Sequence, residues 1–432
     1  MNANSRIGAP HRRLQTALIV SVIVLCGALP ALGQGMAQKQ DPVQLPAGAG
    51  KAIVEGACIQ CHDLQRVVRP IGNTPDGWQL VLNSMIGQGA KLDPSQVKVV
   101  HEYLAGNFPD RAPRPTLVPG PIEITIKEWD VPKPGTRPHD PLVARDGSIW
   151  YAGINLSVLG RFDPKTTQIK EYPLKPKSGP HGLVDDKEGN IWFTAQHGHY
   201  IGKLDPKTGN VTEYKLSHPD ARSPHTPILD PKGNLFFTTS GNDFVGRVNG
   251  KTGEVTMVKR ESNPYGILVN SKGVPFFTLY ETNKLGSINP DTMEIKEYVL
   301  PNPGIRPRRI AVTSDDVIWY GDYDRGYLGS YDPKTGKFKE WPSPSGPPSQ
   351  IYGITVANDV IWYNESGVRP NTIVRFDPKT EKFQSWVIPS GGGVVRHMMP
   401  DKNGNIWIAG SGVNKIGVVE VKKPVTRTSS LQ

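Results

Sequence analysis

Two cysteines and a histidine stand together in the segment Cys58-Ile59-Gln60-Cys61-His62 of this 432-residue chain. Two thiols three residues apart can each form a thioether bond to one porphyrin, and the histidine that follows can bind the iron as its proximal ligand. A zinc site would need more Cys or His ligands, yet the only other cysteine, Cys26, lies in the N-terminal segment. A redox disulfide would need a βαβ pattern around the motif, which is absent. The motif therefore predicts one covalent haem c and electron transfer.

Three predicted helices would position this group. Residues 47–57 lead into the motif, Thr74-Pro75 reads as the start of a second helix, and Asp93-Pro94 opens a third that stops at Gly106. Met85 falls in the second helix and is the only methionine between the N-terminal segment and Met257.

This order of haem motif, later methionine and closing helix resembles the small class I cytochromes c over residues 39–107. The resemblance implies that Met85 is the distal iron ligand opposite His62. Two alternatives stay open: Met85 as a core-filling side chain, and His101 of the third helix as the ligand.

The N-terminus has the pattern of an export signal. Arg6, Arg12 and Arg13 precede a short apolar run, and small-x-small cleavage sequences follow at 31–33 and 35–37. We expect a signal peptide over residues 1–37 and a periplasmic mature protein that is not integral to the membrane; an uncleaved anchor is the alternative.

Charge narrows the choice of partners. Removing the signal takes away three arginines and lowers the formal charge from +10 to about +7. The remaining charge includes no Lys/Arg-rich run, so the sequence gives no indication of nucleic-acid binding. A mildly basic balance favours docking to an acidic redox partner.

Residues 122–421 contain one unit repeated seven times. A Trp- or Phe-rich strand, such as Ile149-Trp150-Tyr151-Ala152, recurs at spacings of 40 to 45 residues, and turns such as Asp205-Pro206-Lys207-Thr208-Gly209 separate later strands. Four short strands at this period predict a β-propeller blade. The strand 124–129 matches the fourth strand that the last repeat lacks, so we expect it to complete blade seven. The predicted fold is mainly β, a seven-bladed propeller with a small all-α N-terminal domain.

A proline-rich linker, 108–121, joins the two predicted domains, and a tail occupies 422–432. A polyproline-like linker of this length spans at most about 45 Å and resists tight reversal. We therefore expect the haem domain to lie beside or beneath the propeller, away from the face on which the innermost strands begin.

The repeats and their phrases Trp-Phe-Thr, Ile-Gly-Lys and Pro-His-Gly resemble the streptogramin B lyase family, also called the virginiamycin B lyase family. The resemblance implies metal-assisted elimination that opens a cyclic depsipeptide, with a histidine at the start of a last-blade inner strand and a magnesium-binding glutamate after the next strand. His397 matches the histidine. No carboxylate follows Trp407, where the chain reads Ile408-Ala409-Gly410-Ser411, and Val395 stands where the family pattern has another acid.

Topology predicts a candidate propeller site at one mouth of the central channel. The residues that open the innermost strands are expected to ring it: His139, His181, His225, Tyr265, Arg308, Tyr352 and His397. Second-strand ends on the same face add Glu281, Asp322 and Glu365. This mixture could bind a second metal ion or an anionic, oxygen-rich small molecule, with His397 and Glu365 as candidate catalytic residues. The alternative is that each residue only caps its own strand.

Three functions follow. The first is an exported haem c electron carrier whose propeller binds a substrate, metal or redox partner, as in a dehydrogenase component. The second is a lyase-like enzyme with an accessory cytochrome. The third is a propeller that serves only as a docking platform for proteins.

Overall fold

The computed structural model describes residues 44–60, 63–64 and 71–422. The predicted signal peptide, nearly all of the tail, and two residues of the haem motif, Cys61 and His62, lie outside the described residues. From Leu45 onward the described residues belong to one compact unit.

Three helices form the N-terminal region: α1 (Lys51–Ala57), α2 (Pro75–Gly87) and α3 (Pro94–Asn107). The caps of α2 and α3 are as predicted. The Thr74 hydroxyl accepts a hydrogen bond from the Gly77 amide, and Asp93 forms a reciprocal capping box with Gln96. Trp78 and Leu82 of α2 and Val100 and Leu104 of α3 are buried. No helix in the described part of the chain has the length and apolar character needed to cross a membrane.

The rest of the described chain forms 28 strands in seven four-stranded antiparallel sheets. The innermost strands are β2 (Pro138–Val143), β6 (Pro180–Asp185), β10 (Pro224–Leu229), β14 (Pro264–Val269), β18 (Pro307–Val312), β22 (Ile351–Ala357) and β26 (Val395–Pro400). The second strands are β3 (Ile149–Gly153), β7 (Ile191–Ala195), β11 (Leu235–Thr239), β15 (Pro275–Leu279), β19 (Ile318–Asp322), β23 (Val360–Glu365) and β27 (Ile406–Gly410).

The third strands are β4 (Val158–Phe162), β8 (Tyr200–Leu204), β12 (Phe244–Val248), β16 (Lys284–Ile288), β20 (Tyr327–Tyr331), β24 (Thr372–Asp377) and β28 (Lys415–Val421). The outermost strands are β5 (Ile169–Pro173), β9 (Val211–Lys215), β13 (Val255–Lys259), β17 (Ile295–Val299), β21 (Phe338–Pro342), β25 (Lys382–Val387) and, from the other end of the propeller, β1 (Ile124–Asp130). β1 pairs with β28 from Ile124 against Val421 to Asp130 against Lys415. The predicted closure of blade seven is therefore confirmed.

Aromatic side chains of the second strands need space on the third strands, and glycine provides it. A β-carbon on Gly160 would lie 2.0 Å from the Tyr151 ring, and one on Gly202 would lie 2.1 Å from Phe193. Both rings are fully buried. Close packing against a second-strand ring thus explains the third-strand glycine in blades one to five.

The linker is anchored along blade six. The Val118 amide donates to the Ser385 hydroxyl at 2.9 Å, and the Ser385 amide donates to the Val118 carbonyl at 2.9 Å. At the N-terminal end of the linker, Asp110 binds Arg369 at 2.6 Å, and Arg369 lies in the loop between β23 and β24. The linker therefore lies along the outer strand of blade six, because its peptide groups form hydrogen bonds with side chains and backbone there.

This path overturns the expected position of the helical region. Ser84 of α2 accepts a hydrogen bond from Asn155 Nδ2 at 3.0 Å, and the same nitrogen donates to the Gly135 carbonyl at 3.2 Å. Asn155 lies in the loop between β3 and β4, and Gly135 lies just before β2. Both loops belong to the face on which the innermost strands begin, so the prediction of a helical region away from that face is wrong.

Candidate functional site at the channel mouth

Every innermost strand carries a β-bulge at its start. In blade one Pro138 pairs with Gly153 and Pro141 pairs with Tyr151, which leaves His139 and Asp140 without partners across the sheet. The same slip occurs in the other six blades. Because a bulge re-aims side chains, two consecutive residues of each strand can contribute to the channel instead of one.

The register defines two layers of side chains. The first residue of each bulge forms what we call the mouth ring: His139, His181, His225, Tyr265, Arg308, Tyr352 and Arg396. The second residue is glycine in three blades, and the side chains at this position form the inner layer: Asp140, Thr226, Arg309 and His397.

The sequence assigned His397 to the mouth ring, and the register corrects that assignment. Val395 pairs with Gly410 and Met398 with Ile408, so Arg396 is the residue equivalent to His139. His397 is equivalent to Asp140 and belongs to the inner layer. The glycine-rich approach to β26 had hidden this shift of one residue.

One arc of the mouth ring consists of three stacked imidazoles. The ring centroids of His139 and His181 are 3.8 Å apart, and those of His181 and His225 are 3.9 Å apart. All three side chains are buried. Burial lowers the pKa of His139 to about 3 and the pKa values of His181 and His225 well below the ordinary histidine range. The histidine arc is therefore neutral at physiological pH.

The inner layer contains an ion pair across the channel. Arg309 donates to both oxygens of Asp140, at 3.0 and 3.2 Å, and both side chains are about 2% exposed. Burial alone would raise the pKa of Asp140, but Arg309, His397 and His139 hold it well below its usual range. Since this carboxylate is ionised, the contact of 2.8 Å to His139 Nδ1 is a hydrogen bond donated by the imidazole.

His139, Asp140 and His181 bring three metal-ligand atoms within 4.8 Å of one another. Both Asp140 oxygens already accept hydrogen bonds from Arg309, and one also accepts from His139. A cation here would have to displace a buried guanidinium, so the contacts favour an ion-pair network over a metal centre.

The other arc of the mouth ring is aromatic and cationic. The Tyr265 and Tyr352 hydroxyls are 2.6 Å apart, and Arg396 donates to the Tyr352 hydroxyl at 3.2 Å. The Arg308 guanidinium lies 3.7 Å from the centroid of the Tyr352 ring and 4.0 Å from that of Tyr323. Burial would raise the pKa of Tyr352, but Arg396, Arg308 and Arg309 outweigh it and lower that pKa to about 7. Burial, assisted by the neighbouring Tyr352, raises the pKa of Tyr265, which stays protonated.

The three predicted carboxylates are held by loops instead. Glu365 is fully buried and accepts hydrogen bonds from Ser343, Ser345 and Thr372. Asp322 binds the Arg306 amide and the Arg325 guanidinium, and Glu281 accepts from Asn263 at 3.4 Å. No hydrogen bond among the described residues joins any of the three to the mouth ring. Glu365 thus holds a loop in place, in contrast to the candidate catalytic role predicted for it.

Of the candidate haem ligands, Cys58 and Met85 are described. Cys58 is half-buried in the 3-10 turn after α1, and Met85 is half-buried on α2. The rival ligand His101 places its Nε2 2.9 Å from the Pro75 carbonyl, a contact that ties α3 to α2.

Sequence reasoning missed Asp140, Arg309 and Arg396. A signal was present, because Asp140 and Arg309 are charged at a position where three blades have glycine. Two opposite charges at one repeat position, in blades one and five, could have suggested a pair across the channel.

Comparison with known proteins supports the fold and assigns the family. The virginiamycin B lyase family matches residues 167–430. A solved streptogramin B lyase is 26% identical, with a TM-score of 0.63, over 69% of this chain and 98% of its own. A catalytically inactive histidine variant of virginiamycin B lyase from Staphylococcus aureus, solved with quinupristin, is 24% identical, with a TM-score of 0.63, over 69% of this chain and 99% of its own.

A more distant likeness is to the extracellular domain of a one component system from B. thetaiotaomicron, which is 17% identical with a TM-score of 0.53, over 67% of this chain and 40% of that one. A comparison with curated proteins gave no match. The family match covers more than half of the sequence and includes the propeller strands β5 to β28. The chain belongs to the virginiamycin B lyase family.

Proposed function

We propose that the propeller is a lyase-like enzyme domain whose channel mouth binds a small oxygen-rich molecule and removes a proton from one of its carbon atoms. The observation that carries this proposal is His397 Nδ1, which is buried and has no hydrogen-bond partner among the described residues. It belongs to the innermost strand of the last blade. Burial lowers the pKa of His397 to about 4, with Asp140 opposing and Arg309 assisting. A neutral imidazole can accept a proton.

The proposed reaction is an elimination. His397 takes the proton from a carbon beside a carbonyl, the electron pair forms a carbon–carbon double bond, and the carbon–oxygen bond one atom further breaks. The imidazolium or water then returns a proton to the leaving oxygen.

The chain does not fit the magnesium ion that the family resemblance implies. The Ser411 hydroxyl, in the segment where a carboxylate would be expected, donates to the Pro138 carbonyl at 2.8 Å and joins blade seven to blade one. No step of the proposed reaction therefore uses that ion.

The test offers the protein esters and ethers that carry an oxygen β to a carbonyl. Elimination is measured by the absorbance of the new double bond. His397→Ala should lower the rate by about 10²-fold or more, the range for loss of a general base. His218→Ala, outside the channel, should leave it unchanged. Elimination that survives in His397→Ala would contradict the proposal.

Streptogramin B itself is a sharper probe of the missing carboxylate. Magnesium-dependent ring opening should be far below the rate of a family lyase assayed beside it, because no carboxylate follows Trp407. Opening at a comparable rate, abolished by EDTA, would show that another residue holds the ion, and Glu365 and Glu281 would be tested first.

A second proposed function concerns the helical region. Cys58 and Cys61 would hold one haem c through thioether bonds, with His62 and Met85 as iron ligands. The large apolar side chains Ile59, Val81 and Ile86 are 53%, 36% and 37% exposed, an arrangement that a covering porphyrin would explain. When bound, the haem would supply one-electron transfer, and the partner would be an acidic redox protein. Covalent attachment is consistent with export to the periplasm.

The haem proposal is tested with the mature chain produced alongside haem attachment. The mass should increase by one haem, and the oxidised protein should show the weak near-infrared band of a Met–iron bond. Met85→Ala should abolish that band and Met257→Ala, in β13, should retain it. A wild-type protein without the band, or a band that survives Met85→Ala, would exclude Met85 as the ligand.

A further inference from the structure

The second arc of the mouth ring consists of Tyr265, Arg308, Tyr352 and Arg396. It contains two guanidinium groups without a counter-charge. Arg308 and Arg396 form no ion pair with a carboxylate within the described ranges, where the only carboxylate of the two layers, Asp140, is bound by Arg309. The Nε atoms of Arg308 and Arg396 are buried and have no hydrogen-bond partner there. Leaving charged donors unpaired in a protein interior is costly, so such donors mark a place for an anion.

The phenol between them offsets this charge only in part. Tyr352 receives a hydrogen bond from Arg396 at 3.2 Å and contacts Arg308 through its ring. Even a fully ionised Tyr352 would balance one of the two guanidinium groups. The histidines cannot add a negative charge, and Tyr265 stays protonated. At least one positive charge therefore remains at the mouth of the channel.

The geometry suits an anion that enters from solvent. Arg308 and Arg396 are partly exposed, unlike the buried Arg309 beneath them. A guanidinium group offers a planar fork of N–H donors that matches the two oxygens of a carboxylate. The rings of Tyr280 and Tyr323, with centroids 5.2 and 4.0 Å from Arg308, form a wall on which a sugar ring or another flat apolar face could pack.

We propose that Arg308 and Arg396 form an anion clamp for the carboxylate of the substrate and that they supply the positive charge that a magnesium ion supplies in the family. The inference rests on the lyase-like function proposed above and names its substrate class, a carboxylate-bearing small molecule such as a uronic acid. Arg396 precedes His397 in β26, so the clamp and the proposed base share one strand. A carboxylate held by two guanidinium groups is also partly neutralised, which favours removal of the adjacent proton.

The test compares galacturonate with galactose, which has the same ring without the charge, in thermal unfolding of the full mature chain. Galacturonate should raise the melting temperature with a saturable dependence on concentration, and galactose should not. Arg308→Gln and Arg396→Gln should each weaken galacturonate binding by about tenfold or more, as expected for loss of a charged hydrogen-bond donor. Arg161→Gln, at a partly exposed position of the third strand β4, is the matched control and should bind normally.

Three results would overturn the clamp: no shift with galacturonate in the folded wild type, an unchanged shift in both glutamine variants, or a shift that needs Mg²⁺ and disappears with EDTA. Tighter binding of inorganic phosphate than of galacturonate would overturn the carboxylate class. Binding of galacturonate by a protein that eliminates none of the esters and ethers named under the proposed function would retain the clamp while contradicting the lyase function, so the two ideas fail separately.

Discussion

The two arcs of the mouth ring occupy the same backbone position in seven similar blades but have opposite electrostatic character. In blades one to three the ring consists of neutral, stacked imidazoles above a satisfied ion pair. In blades four to seven it consists of tyrosines around two guanidinium groups that lack carboxylate partners. The one guanidinium group below the first arc, Arg309, is paired with a carboxylate, although its Nε and His181 Nδ1 have no hydrogen-bond partner among the described residues. The two guanidinium groups of the second arc have no carboxylate partner among those residues.

Because of this difference, some residues of the site should serve mainly stability and others mainly ligand binding. A network whose charged groups are already paired forms few new hydrogen bonds when a ligand binds. A cluster with unpaired donors forms new hydrogen bonds to a ligand that carries acceptors. We therefore expect substitutions in the first arc and in the Asp140–Arg309 pair to affect folding, substitutions in the second arc to affect binding, and substitution of His397 to affect the reaction.

The largest effect on stability should come from breaking the buried ion pair. Asp140→Ala leaves Arg309 buried without a carboxylate, which should cost about 3–5 kcal/mol in the free energy of unfolding measured with urea. The double variant Asp140→Ala/Arg309→Met removes both charges and should recover most of that loss. A single variant that costs less than about 1 kcal/mol would show that the inner layer is not a stabilising network.

Acid should destabilise the protein through the imidazoles. The folded pKa values of His139, about 3, and His397, about 4, lie below the ordinary 6.5, so the unfolded chain binds these protons first. Their contribution to stability is complete above about pH 6.5 and falls by about 1.4 kcal/mol per pH unit for each group as the pH drops towards 4. His139→Asn and His397→Asn should each flatten this dependence and His218→Asn should not. An equally steep profile in all three variants would contradict the lowered pKa values.

The second arc should show an ionised tyrosine near neutral pH. Tyrosinate absorbance should titrate near pH 7 with an amplitude of about one residue, because Arg396, Arg308 and Arg309 face the Tyr352 hydroxyl and Tyr265 donates to it. Tyr352→Phe should remove the transition, and Arg396→Gln should move it to higher pH. Absence of tyrosinate below pH 9 would remove the electrostatic contrast between the arcs.

The smallest effect concerns the ion pair between Asp110, at the start of the linker, and Arg369 in the loop between β23 and β24. Asp110→Asn should cost about 1 kcal/mol or less, because the Arg369 side chain that it binds is partly exposed. Limited proteolysis within residues 108–121 should become faster, since the start of the linker loses an anchor. Glu123→Gln, which removes an exposed pair with Lys422, is the control and should leave cleavage unchanged.

The sequence was sufficient where local rules decide the structure. Repeat spacing identified seven blades, the strand pattern at both ends identified the closure by Ile124–Asp130, and Thr74 and Asp93 marked the helix starts. Each of these features depends on short-range periodicity or on capping, which a single sequence displays directly.

Long-range pairing was harder to predict. The bulges place consecutive residues in the channel, so a period-two pattern could not find Asp140 or Arg309, and it assigned His397 one residue out of register. The linker path depends on Ser385 and other partners more than 260 residues away in sequence, which composition does not reveal. The loop hydroxyls that bind Glu365 are likewise visible only in the folded chain.

If the channel mouth carries its positive charge on arginines, it needs no metal ion. Elemental analysis of the full mature chain, matured with haem and dialysed against buffer containing Mg²⁺ and Zn²⁺, distinguishes the two possibilities. We expect one iron per chain and no second metal in stoichiometric amount. A second metal bound one per chain, and lost in the variant His139→Ala/His181→Ala, would contradict it and would make the histidine arc a metal centre.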